Sequence, residues 1–220
     1  MRHADIFQFI GKILINGSLS GTGFVINSQE AIIATANHNI GSFDLDSISF
    51  VLHGCPNAYH IEKVIFSSPE NEEDIILLKL RESLPKSIEV PDLVSSIPPV
   101  GSAFLITGFD QDTNAQYEYR SATGSISGIT GKGNRIFLQV VSSFIWRGMS
   151  GSPVLTSDQK GVLGILIEKG KKGKDLEGQA IIVPTFVLET FDKRVQSTRQ
   201  KYLLDLIDIL SPKKGDILDL

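Results

Sequence analysis

The sequence predicts an all-β protein built in two halves and followed by a long C-terminal α-helix. Three observations carry that expectation. From Phe7 to about Ile182, short β-branched and aromatic runs are separated at close intervals by Gly, Ser, Asn and Pro, as in a β-barrel or β-sandwich. The segment Pro91-Asp92-Leu93-Val94-Ser95-Ser96-Ile97-Pro98-Pro99-Val100-Gly101 interrupts this pattern near its middle. Beyond Pro184 the apolar residues change to a three-to-four spacing.

In chain order, the first half offers strands at Ile10–Ile15, Gly23–Asn27, Ala31–Thr35, Ser47–Leu52, His60–Phe66 and Ile75–Lys79. Each is an apolar or β-branched run bounded by turn-forming residues. The segment from Pro91 to Gly101 follows. Its three prolines lack ladder donors, so it reads as an extended crossing segment rather than a central strand. The second half offers Ala103–Gly108, Tyr117–Ile129, Arg135–Val140, Pro153–Leu155, Val162–Glu168 and Gln179–Val183. Leu188, Phe191, Val195, Tyr202, Leu203, Leu206 and Leu210 then form one stripe of a helix, with Thr185 as its N-cap and Ser211-Pro212 as its stop. Such a helix extends about 35–40 Å if unbroken. It packs back onto the β region or offers its far end to another partner. The expected organisation is therefore residues 1–92 and 93–184 as two β units, 185–210 as the helix and 211–220 as a tail.

Composition narrows the function classes. The 220 residues are 41% hydrophobic and 21% charged, with 20 Gly and 9 Pro, which is the make-up of a folded chain. The formal charge of -4 lacks the basic excess that a phosphate backbone recruits, so nucleic acid is not an expected partner. Cys55 is the single cysteine and cannot form an internal disulfide, which suits a reducing compartment. The run from Ile6 to Ile15 is broken by Gln8, Gly11 and Lys12 and resembles no signal peptide. Nowhere do the roughly 18 consecutive apolar residues of a membrane span occur. A cytoplasmic protein without membrane attachment is expected.

Three segments carry chemistry, in this order: Thr35-Ala36-Asn37-His38, Glu73-Asp74 opening the apolar run Ile75–Leu80, and Gly148-Met149-Ser150-Gly151-Ser152-Pro153. A serine hydroxyl is a weak nucleophile at neutral pH. It needs a base within hydrogen-bond reach, and that base needs an orienting carboxylate. His38, Asp74 and Ser150 supply the three types. A tetrahedral intermediate also needs preorganised donors, and glycine at 148 permits a backbone that aims the Gly148 and Ser150 amides at one point.

In that order and context the chain resembles the trypsin-like, chymotrypsin-fold serine peptidases. Gly21-Thr22-Gly23-Phe24 resembles the family's Gly-x-Gly-Phe strand, and Thr35-Ala36-Asn37-His38 its Thr-Ala-Ala-His. The run from Asp74 to Leu80 resembles Asp-Ile-Ala-Leu-Leu-Lys-Leu, and Gly148 to Pro153 resembles Gly-Asp-Ser-Gly-Gly-Pro. Gly161-Val162-Leu163-Gly164-Ile165 resembles the strand that follows the nucleophile, so the likeness covers roughly residues 10 to 190. It implies two six-stranded antiparallel β-barrels, with His38 and Asp74 on the first and Ser150 on the second. It also implies a protein or peptide substrate and neither metal nor organic cofactor.

Departures from the family pattern refine the expectation. Extracellular members bury a new N-terminus against an acid just before the nucleophile, but here that position is Met149, so other contacts must hold the oxyanion turn. By the same alignment Phe144 stands at the base of the primary specificity pocket, with Leu166, Gly178 and Ala180 on its walls. That implies an apolar pocket for a small or medium uncharged side chain of the substrate, unless Phe144 plugs it. The strand Ile167-Glu168-Lys169 offers an edge to an extended substrate backbone. Ile167 replaces a serine that supports the catalytic acid in many relatives.

Other features carry less. Cys55 between His53 and His60 lacks the fourth ligand and closed geometry of a zinc site. Gly131-Lys132-Gly133 lacks the remaining residues of a phosphate loop. Lys169-Gly170-Lys171-Lys172-Gly173-Lys174 reads as a solvated hairpin loop or as a steering patch for acidic targets. The expected function is a regulated intracellular serine endopeptidase. Two alternatives stand beside it: an inactive protease-like module that binds peptides or partners, and the N-terminal effector domain of a larger sensor, with regulation through the terminal helix.

Overall fold

The computed structural model describes residues 7–69, 72–111, 117–132, 135–142, 145–169 and 179–191. In the first half, β1 (Ile10–Ile15), β2 (Ser18–Asn27), β3 (Ile32–Ala36), β4 (Ile48–Leu52), β5 (Ala58–Ser68) and β6 (Ile75–Leu80) form a closed antiparallel barrel in the order β1-β2-β3-β6-β5-β4. Closure follows from β1, which pairs with β2 on one side and with β4 on the other. Alternation along the strands fills the interior: Ile13, Phe24, Ile33, Ile48, Phe50, Ile61 and Leu78 are all fully buried. Each such side chain contributes about 1.5–3 kcal/mol by leaving water.

The crossing segment contributes β7 (Asp92–Leu93), a two-residue strand running parallel to β12 (Gly161–Lys169). Its prolines keep it short, as their missing donors require. The second half adds β8 (Ala103–Gln111), β9 (Tyr117–Lys132), β10 (Arg135–Val141), β11 (Pro153–Thr156) and β13 (Gln179–Pro184). Their order is β11-β8-β9-β10-β13-β12, and pairing of β11 with β12 closes this ring too. Phe104, Ile106, Ile126, Leu138, Val140, Val154, Leu163, Leu166 and Ile182 make its core. All twelve expected strands are present, with ends shifted by a few residues. The largest shift is at β2, which begins at Ser18 because the left-handed Asn16-Gly17 turn folds it straight back onto β1, pairing Ser18 with Ile15.

The C-terminal expectation changes. Among the described residues there is no α-helix, and Thr185–Phe191 forms a 3-10 turn instead of the start of a regular helix. Thr185, expected as an N-cap, is fully buried, with its hydroxyl 2.9 Å from the Val94 carbonyl and 2.7 Å from that of Val162. Its polar group thus serves the second barrel rather than a helix end. The remainder of the expected helix, and the tail at 211–220, lie outside the described residues.

Candidate active site

The register of β3 against β6 sets the first half of the site. Ala36 pairs with Ile75, so the residues just after β3 and just before β6 emerge at the same barrel end. His38 lies there in the 3-10 turn Asn37–Asn39, and Asp74 faces it. Asp74 Oδ1 accepts the His38 backbone N–H at 2.9 Å, and Oδ2 lies 2.5 Å from His38 Nδ1. The turn is tied down further by the Asn37 N–H donating to the Asp74 carbonyl at 2.9 Å. Asp74 is buried, and its φ of 57° places it in the left-handed region, where aspartate is tolerated better than most residues.

Ser150 comes from the second barrel, in the turn before β11. Its Oγ lies 2.7 Å from His38 Nε2 and 3.4 Å from the Ile167 carbonyl. The tautomer with its proton on Nδ1, toward Asp74, leaves Nε2 as the acceptor for the serine proton. The structure therefore brings together the three residues singled out from sequence, two from one barrel and one from the other. Ile167 does not support the acid; instead, the His38 backbone and ring together occupy both carboxylate oxygens.

The turn itself is held at several points. Gly148 has φ 96° and Gly151 has φ 84°, conformations that favour glycine. A Cβ on Gly151 would also fall 2.1 Å from the Thr22 carbonyl. Gly151 donates to the Leu166 carbonyl at 2.7 Å, and Leu166 donates to that of Ser152 at 3.0 Å, which locks the turn to β12. Met149 is fully buried, in one core cluster with Ile145, Leu166 and Ile182. Its Sδ accepts the Trp146 N–H at 3.4 Å. The Arg120 guanidinium lies 5.1 Å above the Trp146 ring and 3.1 Å from Asp110, joining this segment to β8 and β9. Apolar burial is thus among the contacts that hold the turn. Among the described residues, neither the Gly148 nor the Ser150 amide donates to another backbone carbonyl.

Sequence reasoning missed the polar bridge behind the nucleophile. Asn39 Nδ2 donates to the Ser150 carbonyl at 2.8 Å and to Thr35 Oγ1 at 3.0 Å, and Thr35 donates to the Thr22 carbonyl at 2.7 Å. All three residues are buried. Thr22, Thr35 and Asn39 flank or lie within the quoted motifs, and that adjacency was the only signal.

The specificity residues divide differently. Leu166 and Ala180 lie in the second barrel's core cluster, and Ile167 is nearly buried on β12. Glu168 and Lys169 continue β12 and pair with Ile181 and Ala180 of β13. Phe144, Gly178 and the lysine-rich loop after Lys169 lie outside the described residues. Cys55, His53 and His60 have separate partners: the Cys55 thiol is 3.9 Å from the Tyr59 hydroxyl, His53 stacks on Tyr119, and His60 pairs with Glu82. Among the described residues no group of three or more His, Cys, Asp or Glu is placed to hold a metal. No described helix is long and apolar enough to cross a membrane.

Comparison with known proteins adds a family. The model of the trypsin-like peptidase domain matches residues 21–165, a stretch that contains His38, Asp74 and Ser150. No curated protein matches the sequence. The fold is similar to that of a mutant of human heparin-binding protein, with TM-score 0.69 and 15% identity over 89% of this chain and 94% of that one. It is also similar to the inactive form of a serine-to-alanine mutant of Rv3671c from M. tuberculosis. There the TM-score is 0.62 at 14% identity, over 95% of this chain and 90% of that one. At such identities the two structural likenesses concern the fold alone.

Proposed function

Because the chain belongs to the trypsin-like peptidase family and is a serine protease of that family, we propose that it is an endopeptidase working through Ser150, His38 and Asp74. The observation that carries this reading is the unbroken line from the Ser150 hydroxyl to the buried Asp74 carboxylate, at 2.7 Å and 2.5 Å from the two nitrogens of one imidazole. His38 takes the Ser150 proton as Oγ attacks the scissile carbonyl carbon. The carbonyl oxygen becomes an oxyanion, for which the Gly148 and Ser150 amides are the proposed donors; donors fixed before reaction need no reorganisation. Asp74 stabilises the imidazolium without taking its proton. Collapse of the intermediate breaks the C–N bond, and His38 returns the proton to the leaving amine. The acyl group stays on Ser150 until water, activated by the same imidazole, releases it.

On this reading the substrate lies extended along Ile167, Glu168 and Lys169, adding a strand to β12. Phe144, Leu166, Gly178 and Ala180 shape an apolar pocket for a small or medium uncharged side chain. The barrels at 1–92 and 93–184 act as two units with the chemistry between them. The lone cysteine favours a cytoplasmic setting, where a protease needs control. Of the expected helix at 185–210, the part beyond Phe191 is the proposed handle for a regulatory partner or larger assembly.

Digestion of a proteome-derived peptide library, read by mass spectrometry, tests this reading. Cleavage after small or medium uncharged residues is expected from the wild-type chain and none from Ser150→Ala. A folded wild-type chain that leaves the library intact, alone and with cell extract added, would favour the peptide-binding alternative. Equal cleavage by Ser150→Ala would overturn the assignment of the nucleophile.

A further inference from the structure

We propose that Thr22 is a positioning residue that clasps the oxyanion turn from the opposite barrel, an inference that rests on the roles given above to Gly148 and Ser150. Thr22 lies on β2 and is fully buried. Its backbone N–H donates to the Ser150 carbonyl at 2.9 Å, while its hydroxyl donates to the Gly148 carbonyl at 2.9 Å, 126 residues away in sequence. One residue of the first barrel therefore holds both ends of the Gly148-Met149-Ser150 turn.

The hydroxyl has one proton, and its placement is not arbitrary. The Phe109 N–H of β8 donates to the same oxygen at 3.0 Å, which occupies a lone pair and leaves the proton for Gly148. Full burial leaves no water to replace either bond. Gly148, at φ 96°, has the widest backbone freedom of any residue type, so its peptide planes need an external anchor. Thr22 supplies it on the carbonyl side, and fixing that plane restricts where the neighbouring amides point. Thr22 touches neither substrate nor nucleophilic oxygen. It acts through Gly148, and its removal should slow steps that develop charge on the oxyanion while leaving ground-state binding in place.

The test uses the full chain as wild type, Thr22→Val, Thr22→Ser and Ser150→Ala, with a fluorophosphonate probe and a peptide boronate. Valine keeps the shape of threonine but removes the hydroxyl, whereas serine keeps the hydroxyl. Loss of an oxyanion donor itself slows reaction about 10²–10³-fold, so a residue one bond removed is expected to slow it about tenfold. Thr22→Val should label about tenfold more slowly and bind the boronate more weakly, with KM for a peptide substrate unchanged. Thr22→Ser should label within about twofold of wild type, even if it melts at a lower temperature. Folded Thr22→Val labelling at the wild-type rate would overturn the role of Thr22 alone. If the valine variant does not fold, the serine variant decides: folded Thr22→Ser labelling about tenfold slower than wild type would assign the effect to the lost methyl group and overturn the proposal, whereas labelling within about twofold of wild type would support it. Wild-type labelling that persists in Ser150→Ala, or is absent altogether, would overturn the underlying reading of the site instead.

Discussion

Asp74 serves two donors of a single histidine from a left-handed backbone, and that combination makes its amide analogue informative. Asparagine tolerates the same φ, so Asp74→Asn should melt close to wild type. Its side-chain N–H₂, however, turned toward Nδ1, forces the proton onto Nε2, where it can no longer accept one from Ser150. Fluorophosphonate labelling should slow by about 10³–10⁴-fold, and a slowdown below about tenfold would contradict the proposed role. Met149 gives a second prediction. Its site is apolar and sealed, so Met149→Leu should change stability by less than about 1.5 kcal/mol in urea melts. Met149→Asp restores the residue type of the family's extracellular members but buries an unpaired carboxylate, with an expected loss of about 3–5 kcal/mol. An aspartate variant as stable as wild type would show that a partner for the acid exists. His38, Asp74 and Ser150 were legible because each sits in a contiguous motif. The role of Thr22 was not, because its hydroxyl partner comes from another barrel and no local pattern encodes that distance.

Between elements, the contacts that matter are those joining the two barrels. His53, in the turn between β4 and β5, stacks on Tyr119 of β9 at 4.0 Å, with Phe109 of β8 alongside at 6.0 Å and the Lys12 ammonium 5.3 Å over that ring. Burial, and then the Lys12 charge, hold the His53 imidazole below its ordinary value. The folded chain therefore binds this proton less readily than the unfolded chain. Stability should fall as pH drops through about 6.5, the unfolded value, and the loss should level off below the folded value. Thermal melts from pH 7.5 to 5 should show a smaller loss for His53→Gln than for wild type. Equal slopes would mean that His53 does not titrate differently in the folded chain. The strands themselves were readable from β-branched runs and their breaks. The pairing of Ala36 with Ile75, which brings His38 over Asp74, was not, since register depends on partners far apart in sequence. The 3-10 turn at Thr185–Phe191 also departed from its apolar spacing, because the Thr185 hydroxyl found carbonyls on two other segments.

At the scale of the molecule, catalysis is assigned to a seam: neither barrel holds all three residues, and the network of Thr22, Thr35 and Asn39 crosses from one to the other behind the nucleophile. The two halves were visible in the sequence because a proline-rich crossing separates two sets of strands. Their closure into barrels followed from the family resemblance rather than from periodicity, which does not distinguish a barrel from a sandwich. The proposed regulation belongs to this scale as well. Removing residues 192–220 should alter either the labelling rate or the assembly seen by size-exclusion chromatography with light scattering, and a truncated chain unchanged in both would place control elsewhere. The claim on which the account depends is that Ser150 is an activated nucleophile. It is tested most directly by treating the full chain with a fluorophosphonate and locating the adduct by peptide mass spectrometry. The account predicts one adduct, on Ser150, absent from Ser150→Ala and slowed at least about 10³-fold in His38→Ala. A folded wild-type chain that takes up no probe, or an adduct that survives in Ser150→Ala, would contradict it.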